Sequence, residues 1–312
     1  TFYPFTGDMA QLSWTAEMRF ANQIGATIWT MEGIMGDHGA SMGMVMSYGA
    51  QRAGHDTRDY MNSDLFIYWG GNSFDTHTSE ARYILDARDN GAKMIVIDPR
   101  MSSTASLADQ WVPIKPKTDP VLALAMTKVI IDMDMHDKTW LQNYSCAPLL
   151  VSDETGMYIH PSEGMYAAWD EANDSLVVLD PAEAGGPDDG TSGPESTLAL
   201  TGSFEVNGEK CHPTFVDLLA ELERYDLDYA SKVTGIDADV IENLAIEYAS
   251  AKSAGIRFTQ GITRVNYSFM PFRAIATLAA VCGNIGKPGG GAGHIWAQGN
   301  GNPLKPVEAD VP

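Results

Sequence analysis

The sequence has few cysteines, few basic residues and no long hydrophobic run. Its three cysteines, Cys146, Cys211 and Cys282, are far apart and form no CxxC pair, so they predict neither a disulfide framework nor a zinc or iron–sulfur site. No apolar run approaches the roughly 18 residues that a membrane-spanning helix needs. Lysine and arginine total 20 against 41 acidic residues, a net charge of −21. This charge disfavours a nucleic-acid partner, because phosphate backbones bind basic surfaces.

The glycine fingerprint of nicotinamide- and flavin-dependent dehydrogenases, GxGxxG, is absent as well, which argues against that class of enzyme. What is present is the composition of a folded globular protein, with 312 residues of which 44% are hydrophobic and 20% are charged. That length and composition predict two domains or one large α/β unit.

A strand, a helix and a second strand follow one another in the first half of the chain. Residues 65–69 (LFIYW) and 93–98 (KMIVID) are apolar runs, and residues 78–90 between them have helical spacing, with Gly91 as a stop signal. Continuous apolar strands are typical of a parallel sheet covered by helices on both faces. The pattern therefore predicts a doubly wound α/β sheet. Further strands are expected at 111–114 and 255–258, and further helices at 119–133, 215–224, 237–251 and 267–282.

Residues 151–210 interrupt this alternation of strands and helices. They are acidic and rich in turn residues, with the sequence GGPDDG at 185–190. Long polar segments lie at the protein surface. We therefore expect a surface insertion with short hairpins rather than a separate domain.

Three segments that follow predicted strands carry residues suited to a ligand, since open α/β sheets bind ligands at the carboxyl ends of their strands. Gly70, Gly71 and Asn72 follow the first strand. There the missing Cβ atoms would let a diphosphate approach the main chain. A turn that binds no ligand would have the same composition, so the motif alone leaves both interpretations open.

The other two segments contain acidic residues. Asp98, at the end of the second strand, could accept hydrogen bonds from a ribose or a base edge, and Asp119 could accept from the paired N–H donors of a guanine. The alternatives are structural. Asp98 would cap a turn with Arg100 as its surface partner, and Asp119 would be the N-cap of a helix with Pro120 at its first position.

Four motifs taken together resemble the molybdopterin oxidoreductases of the dimethyl sulfoxide reductase family. They are WGGN, MIVIDPR with STAS just after it, WVPIKPKTDPVLALAM and CGNIGKPGGG, which begin at residues 69, 94, 111 and 282. The motifs occur in the order and at the spacing of that family. The resemblance covers residues 30–295.

The resemblance implies an α/β fold of two doubly wound half-domains with mainly parallel sheets. The first would span residues 60–235 and contain the acidic insertion, and the second would be discontinuous, formed by residues 1–59 and 236–312. As the central fragment of a larger catalytic polypeptide, the chain would be inactive alone. An iron–sulfur segment would precede it, and a domain closing over the pterins would follow it.

The resemblance also implies a cofactor, in which two molybdopterin guanine dinucleotides hold one molybdenum. The diphosphate of the first dinucleotide would contact Gly70, Gly71 and Asn72. Its guanosine would be recognised by Asp98, Arg100 and Asp119. The other dinucleotide would be bound by Gln260, Gly261 and Arg264.

The metal ligand in this family lies on a loop upstream of the WGGN strand, which corresponds here to residues 36–43 (GDHGASMG). The segment contains no cysteine, which argues against a thiolate ligand. A hard carboxylate suits an oxidised oxo-molybdenum centre, so Asp37 is the preferred candidate. Ser41 is the alternative, and a third interpretation is that these residues only shape the loop. His38 would be a proton donor near the metal, or would only satisfy backbone groups.

The function expected from the resemblance is oxygen-atom transfer or a related two-electron reduction. The partners would be a small-molecule electron acceptor or donor, a membrane anchor and an iron–sulfur electron-transfer subunit, with a periplasmic or cell-surface location. The alternative is a non-catalytic module that keeps the fold for assembly or electron-transfer architecture. The diphosphate turn and the guanosine acceptors count against this alternative, because a module without the cofactor does not need them.

Overall fold

The computed structural model describes residues 1–2, 11–28, 37–50, 56–183 and 191–294. Its strands are β1 (Leu65–Trp69), β2 (Lys93–Ile97), β3 (Gln110–Val112), β4 (Leu150–Ser152), β5 (Tyr166–Asp170), β6 (Ser175–Leu179), β7 (Phe204–Val206), β8 (Glu209–Pro213), β9 (Ala254–Phe258) and β10 (Ala292–His294). Its α-helices are α1 (Gln11–Gln23), α2 (Asp37–Tyr48), α3 (Ser73–Thr76), α4 (Thr78–Asp89), α5 (Ser103–Ser106), α6 (Asp119–Asp132), α7 (Lys138–Tyr144), α8 (Thr214–Leu222), α9 (Leu227–Thr234), α10 (Ala238–Ser250) and α11 (Phe269–Val281). Short 3₁₀-helices lie at Thr57–Asn62, Pro181–Glu183 and Gln260–Ile262. Within these ranges, no helix has both the length and the apolar character needed to cross a membrane.

The centre of the fold is a five-stranded sheet with the order β10-β9-β1-β2-β3. Each neighbouring pair of strands runs parallel, which confirms the predicted α/β class with a mainly parallel sheet. β2 and β3 extend the sheet on one side of β1, whereas β9 and β10 extend it on the other. The strand order thus reverses between β1 and β9. Such a topological switch point leaves a crevice for a ligand at the carboxyl ends of the strands.

The side chains of β1 alternate between two hydrophobic layers, as the two-residue period of a strand requires. Leu65, Ile67 and Trp69 pack with α6, α10 and α11 on one face of the sheet. Phe66 and Tyr68 pack with α4 on the other face. All five side chains are buried. The apolar run therefore has helices on both of its faces, as predicted for a doubly wound sheet.

The predicted boundary near residue 235 does not divide this sheet. β9 and β10 come from the predicted second half-domain, but β9 pairs with β1 along its whole length, from Leu65 opposite Ala254 to Trp69 opposite Phe258. The physical reason is that a buried strand needs hydrogen-bonding partners at both edges, and β2 occupies only one edge of β1. The division into two half-domains stays a prediction.

The region of the acidic insertion forms small antiparallel sheets beside the main one. β4, β8 and β7 form a three-stranded sheet, and β5 pairs with β6 as a hairpin. A small core lies between these strands and includes Leu150, Ile159, Ala167, Val206 and Cys211. The sequence predicted hairpins here, and this core holds them together.

The start of α6 differs by one residue from the prediction. Thr118 is the N-cap, Asp119 is the first helical residue and Pro120 the second. Asp119 was predicted to be the N-cap, but its carboxylate instead accepts a hydrogen bond from the indole N–H of Trp69, at 2.8 Å. A contact with β1 therefore replaces the expected local cap.

A histidine in the small sheet lies between two carboxylates. Nδ1 of His212 on β8 is 2.6 Å from Asp153 Oδ1, and its Nε2 is 3.1 Å from Asp217 Oδ1 on α8. The hydrogen bond to Asp153 is the main reason that the pKa of His212 is raised above its ordinary value. The ring of His212 therefore links β8 to α8, and protonation of the ring strengthens this link.

We expect His212→Gln to destabilise the protein more at acidic pH than at alkaline pH. A raised folded-state pKa contributes stability that is fully present below the unfolded pKa of about 6.5 and is lost as the pH rises through the folded value. Because both carboxylates are partly exposed, the loss should stay below about 1 kcal/mol. Urea unfolding at about pH 5.5 and about pH 9 measures it. His77→Gln, at a ring that contacts Thr76, is the control, and equal pH profiles for both variants would contradict the prediction.

Candidate functional site

The switch point lies where the segments that follow β1 and β9 run side by side. The backbone N–H of Thr259 donates to the carbonyl of Trp69 at 3.1 Å, and that of Gly261 donates to the carbonyl of Gly70 at 3.0 Å. The hydroxyl of Thr259 also donates to the Gly70 carbonyl. Gly70 N–H in turn donates to Ile97 at the end of β2, at 2.9 Å. These hydrogen bonds hold the two segments, here called the β1 loop (residues 70–72) and the β9 loop (residues 259–261), at a fixed spacing.

The glycines of these loops are required by the contact between the loops. A Cβ atom on Gly261 would overlap the carbonyl oxygen of Gly70 and lie 2.8 Å from its carbonyl carbon. Gly70 has a φ of +63°, and a Cβ there would lie 2.6 Å from Ile262 Cγ2. A Cβ on Gly71 would overlap the ring of Tyr68. The sequence left two interpretations open for Gly70 and Gly71, a diphosphate close to the main chain or a turn that binds no ligand. In the structure, the space that a Cβ atom would need at these glycines is occupied by other residues of the protein.

The main chain of the β1 loop nevertheless keeps open donors. Gly71 is buried, yet no acceptor in the described part of the chain takes the backbone N–H of Gly71, Asn72 or Ser73. A buried N–H group without an acceptor is costly and rare in folded proteins. Adjacent N–H groups are also a common binding site for phosphate oxygens. The loop is therefore suited to an anionic group.

The amide side chain of Asn72 is used within the protein. Its Oδ1 accepts from the hydroxyls of Ser103 and Thr104 at 2.9 and 2.8 Å, and its Nδ2 donates to Asp75 at 2.6 Å. Asn72 thereby ties the β1 loop to the start of α5, which follows β2. A contact between Asn72 and a diphosphate would therefore come from its backbone N–H. The STAS motif contributes to this site by positioning Asn72.

The two predicted acceptors for guanosine lie near each other beside the loops. Asp119 is only 4% exposed, and burial is the main reason that its pKa is raised; the charge of Asp98 raises it further, and the Trp69 N–H lowers it. Asp98 accepts the backbone N–H of Arg100 at 2.8 Å, which is the turn cap that the structural alternative predicted. Burial also raises the pKa of Asp98. Asp98 thus follows the end of β2, and Asp119 contacts the last residue of the neighbouring strand β1.

The residues predicted for the second dinucleotide lie on the same edge of the sheet as the first set, because Gly261 contacts Gly70. Thr263, which is fully buried, links Gln260 to Arg264. Its hydroxyl is 3.0 Å from Oε1 of Gln260 and 2.9 Å from Nη1 of Arg264. The sequence did not single out Thr263, although its position between the two predicted residues is the signal that would have found it.

The segment predicted to hold the metal ligand is helical rather than a loop, because α2 begins at Asp37. The side chains of Asp37, His38 and Ser41 lie outside the described structure, so their roles stay predictions. A Cβ atom on Gly39 would overlap the side chain of Ser268, and one on Gly43 would lie 2.7 Å from the backbone oxygen of Phe269. These two glycines let α2 approach the start of α11 closely. In the ranges that the structure covers, no three histidine, cysteine or acidic side chains converge as a metal site.

A buried charged cluster lies behind the β1 loop, and the sequence did not predict it. Arg257 on β9 is 1% exposed and Glu80 on α4 is 5% exposed; Nε of Arg257 donates to Glu80 at 2.8 Å. The hydroxyls of Tyr60, Tyr68 and Ser73 also donate to this carboxylate, at 3.0, 3.3 and 2.7 Å. Burial alone would raise the pKa of Glu80, but Arg257 and these hydrogen bonds lower it overall. An arginine within an apolar strand, AGIRF, is the signal that would have found the cluster.

Comparisons with known proteins show which family the sequence resembles. A family model described as molybdopterin oxidoreductase matches residues 6–308. The chain is 32% identical to the putative catalytic subunit of dimethyl sulfoxide reductase from Halobacterium salinarum over 232 residues, which are 74% of this chain and 27% of that protein. It is 30% identical to the alpha subunit of perchlorate reductase from Dechloromonas aromatica, covering 93% of this chain and 34% of that protein. The matches therefore cover only 27% and 34% of the lengths of these two curated relatives.

A solved structure has a similar fold. Acetylene hydratase from Pelobacter acetylenicus superimposes with a TM-score of 0.53 at 20% sequence identity, over 86% of this chain and 27% of that one. At this identity the likeness concerns the fold alone.

Proposed function

The chain belongs to the molybdopterin oxidoreductase family, and on this premise we propose that it is the cofactor-binding core of an oxidoreductase catalytic subunit. In this proposal it binds two molybdopterin guanine dinucleotides that hold one molybdenum. The observation that carries the proposal is the β1 loop, where the N–H of the buried residue Gly71 has no acceptor among the described residues. Asp98 follows the end of the neighbouring strand β2, and Asp119 contacts Trp69 at the end of β1.

The residues of this edge fit a guanine dinucleotide in their chemistry. A diphosphate needs donors, and the main chain at Gly71 and Asn72 offers them. A guanine edge offers paired N–H donors and needs acceptors, which the carboxylates of Asp98 and Asp119 supply. Arg100 is exposed beside them and would add a positive charge.

We assign the second dinucleotide to Gln260, Gly261 and Arg264. The contact between Gly261 and Gly70 supports this assignment, since it would bring the two dinucleotides to adjacent loops. For the metal we propose Asp37 as the protein ligand, with Ser41 as the alternative, and His38 as the residue that holds a proton on its imidazole next to the substrate.

When bound, the cofactor supplies two-electron redox chemistry, such as oxygen-atom transfer. The residues of the chain bind it, orient it and keep its guanosine ends in place. The substrate would be a small-molecule electron acceptor or donor. An iron–sulfur cluster in another part of the longer protein, a membrane anchor and an iron–sulfur subunit would complete the electron path.

The test of this proposal is the cofactor content of the full-length protein. We expect molybdenum and a guanine dinucleotide of molybdopterin to copurify with it from a host that makes this cofactor. A protein without either would instead favour the non-catalytic module. Metal analysis and fluorescence of the oxidised pterin measure the two components.

We expect Asp98→Asn to weaken cofactor retention by about 10- to 100-fold, since a hydrogen bond to a charged group contributes about 1.5–3 kcal/mol. Asparagine keeps an acceptor for the N–H of Arg100, so the turn should remain. Asp237→Asn is the control, because Asp237 is exposed and its side chain makes no capping hydrogen bond to α10. Equal molybdenum content in the two variants would remove the basis for placing guanosine at Asp98.

A further inference from the structure

We propose that Ser73, Glu80 and Arg257 are positioning residues that hold the β1 and β9 loops at the spacing the dinucleotides require. The inference rests on the proposed function and adds to it the residues that act from behind the binding surface. Their side chains are buried, with exposures of 0%, 5% and 1%, and are hydrogen-bonded to one another, so we expect these side chains to act from behind the binding surface.

The cluster is connected to both loops through short stretches of main chain. Arg257 lies two residues before the β9 loop, and Tyr68 lies two residues before the β1 loop and directly opposite Arg257 in the sheet. Ser73 is the residue that immediately follows the β1 loop. All three donate hydrogen bonds to the one carboxylate of Glu80. A shift of either loop would therefore strain contacts at a single buried group.

The cluster also contacts the β1 loop directly, through the side chain of Tyr68. The ring of Tyr68 lies against Gly71, leaving no room for a Cβ atom there. The hydroxyl of Tyr68 contacts that of Ser73. The open N–H groups of Gly71 and Asn72 thus lie on a loop that packs against the ring of Tyr68 and is followed directly by Ser73, whose side chain is also held in the cluster.

Stability alone does not account for this arrangement. Burying an ion pair removes both charges from water, and well-packed apolar residues would serve stability as well or better. Nη1 of Arg257 also has no hydrogen-bond partner among the residues described, so the pairing is incomplete. A directional network of this kind gives a fixed geometry, which is what a pair of binding loops needs.

Ser73 and Tyr60 offer a matched pair of variants. Both residues are fully buried, and each donates one hydroxyl hydrogen bond to Glu80. Ser73 adjoins the β1 loop, whereas Tyr60 belongs to the 3₁₀-helix Thr57–Asn62, which precedes β1. Ser73→Ala and Tyr60→Phe each remove a hydroxyl hydrogen bond to Glu80, but only the first also removes the contact with Tyr68 and loosens the loop.

Two readouts on the full-length protein test the inference. In the cofactor-free protein, hydrogen exchange at the bonded amides of residues 74–76 should be about tenfold faster in Ser73→Ala and unchanged in Tyr60→Phe, as expected for one lost hydrogen bond to a charged group. In the loaded protein, the rate of pterin release should rise by about the same factor in Ser73→Ala only. The urea midpoints of the two variants should be similar.

The outcomes separate this inference from the proposed function. A wild-type protein that carries no pterin dinucleotide would reject the proposed function and the inference with it. A loaded wild type with equal exchange and equal release in the two variants would reject the inference alone. If Ser73→Ala does not fold, Tyr68→Phe removes the neighbouring hydroxyl on β1 and takes its place in the same comparison.

Discussion

Arg257→Met is expected to lower the free energy of unfolding by about 3–5 kcal/mol at neutral pH, because it leaves the carboxylate of Glu80 buried without its counter-charge. Lys93→Met is the matched control. Lys93 contacts Glu247 at 2.5 Å, but both side chains are more than a third exposed, and partly exposed pairs contribute about 0–1 kcal/mol. Urea unfolding measures both variants. Similar losses would mean that Arg257 and Glu80 do not form a buried charged pair.

The same pair predicts a pH dependence. The pKa of Glu80 is lowered in the folded protein, so its contribution to stability is present above the unfolded carboxyl pKa of about 4.3 and is lost as the pH falls through the folded value. The difference between wild type and Arg257→Met should therefore be largest near neutrality and should shrink in acid. A difference that grows on acidification would contradict this sign.

The second large effect is expected from Gly261→Ala. The added Cβ would overlap the carbonyl oxygen of Gly70, so the β1 and β9 loops must separate and the hydrogen bonds between them must lengthen. Overpacking of this kind costs about 1–3 kcal/mol. Because the open donors of Gly71 move with the loop, we expect cofactor occupancy to fall about tenfold or more, since each 1.4 kcal/mol is about tenfold in affinity.

Gly91→Ala is the control for this variant. Gly91 has a φ of +98°, and nothing lies within 4 Å of the Cβ that would be added. This substitution should cost about 1–2 kcal/mol through backbone strain alone and should leave cofactor occupancy unchanged. Molybdenum and pterin analyses of the two full-length variants give the comparison. Normal cofactor content in Gly261→Ala would show that the spacing of the loops does not control binding.

Local sequence determined most of the elements around the site. The run LFIYW forms β1 at Leu65–Trp69 as predicted, and the prediction of a helix at 119–133 differs from α6 at Asp119–Asp132 by one residue. These elements depend on apolar periodicity and on turn residues nearby in the chain. The family could likewise be inferred from motifs, each of which is a short continuous segment.

The tertiary structure alone decided how these segments meet. β9 pairs with β1 although most of the described chain lies between them, and this pairing brings Gly261 against Gly70. This contact between the loops explains why glycine is needed at both positions. A separate contact between distant segments, from Trp69 on β1 to Asp119 on α6, replaces the expected helix cap.

The buried cluster illustrates the same limit. In the sequence, Glu80 is an ordinary charged residue in the first turn of a predicted helix. Its part in a buried ion pair is visible only in the structure, where β9 places Arg257 beside it. Local propensities act between residues that are close in the chain, whereas the burial of a charge depends on which distant side chain supplies its partner. The sequence by itself therefore determined the strands, the helices and the family, whereas contacts between distant segments, above all the packing of β1 against β9, decided which side chains shape the site.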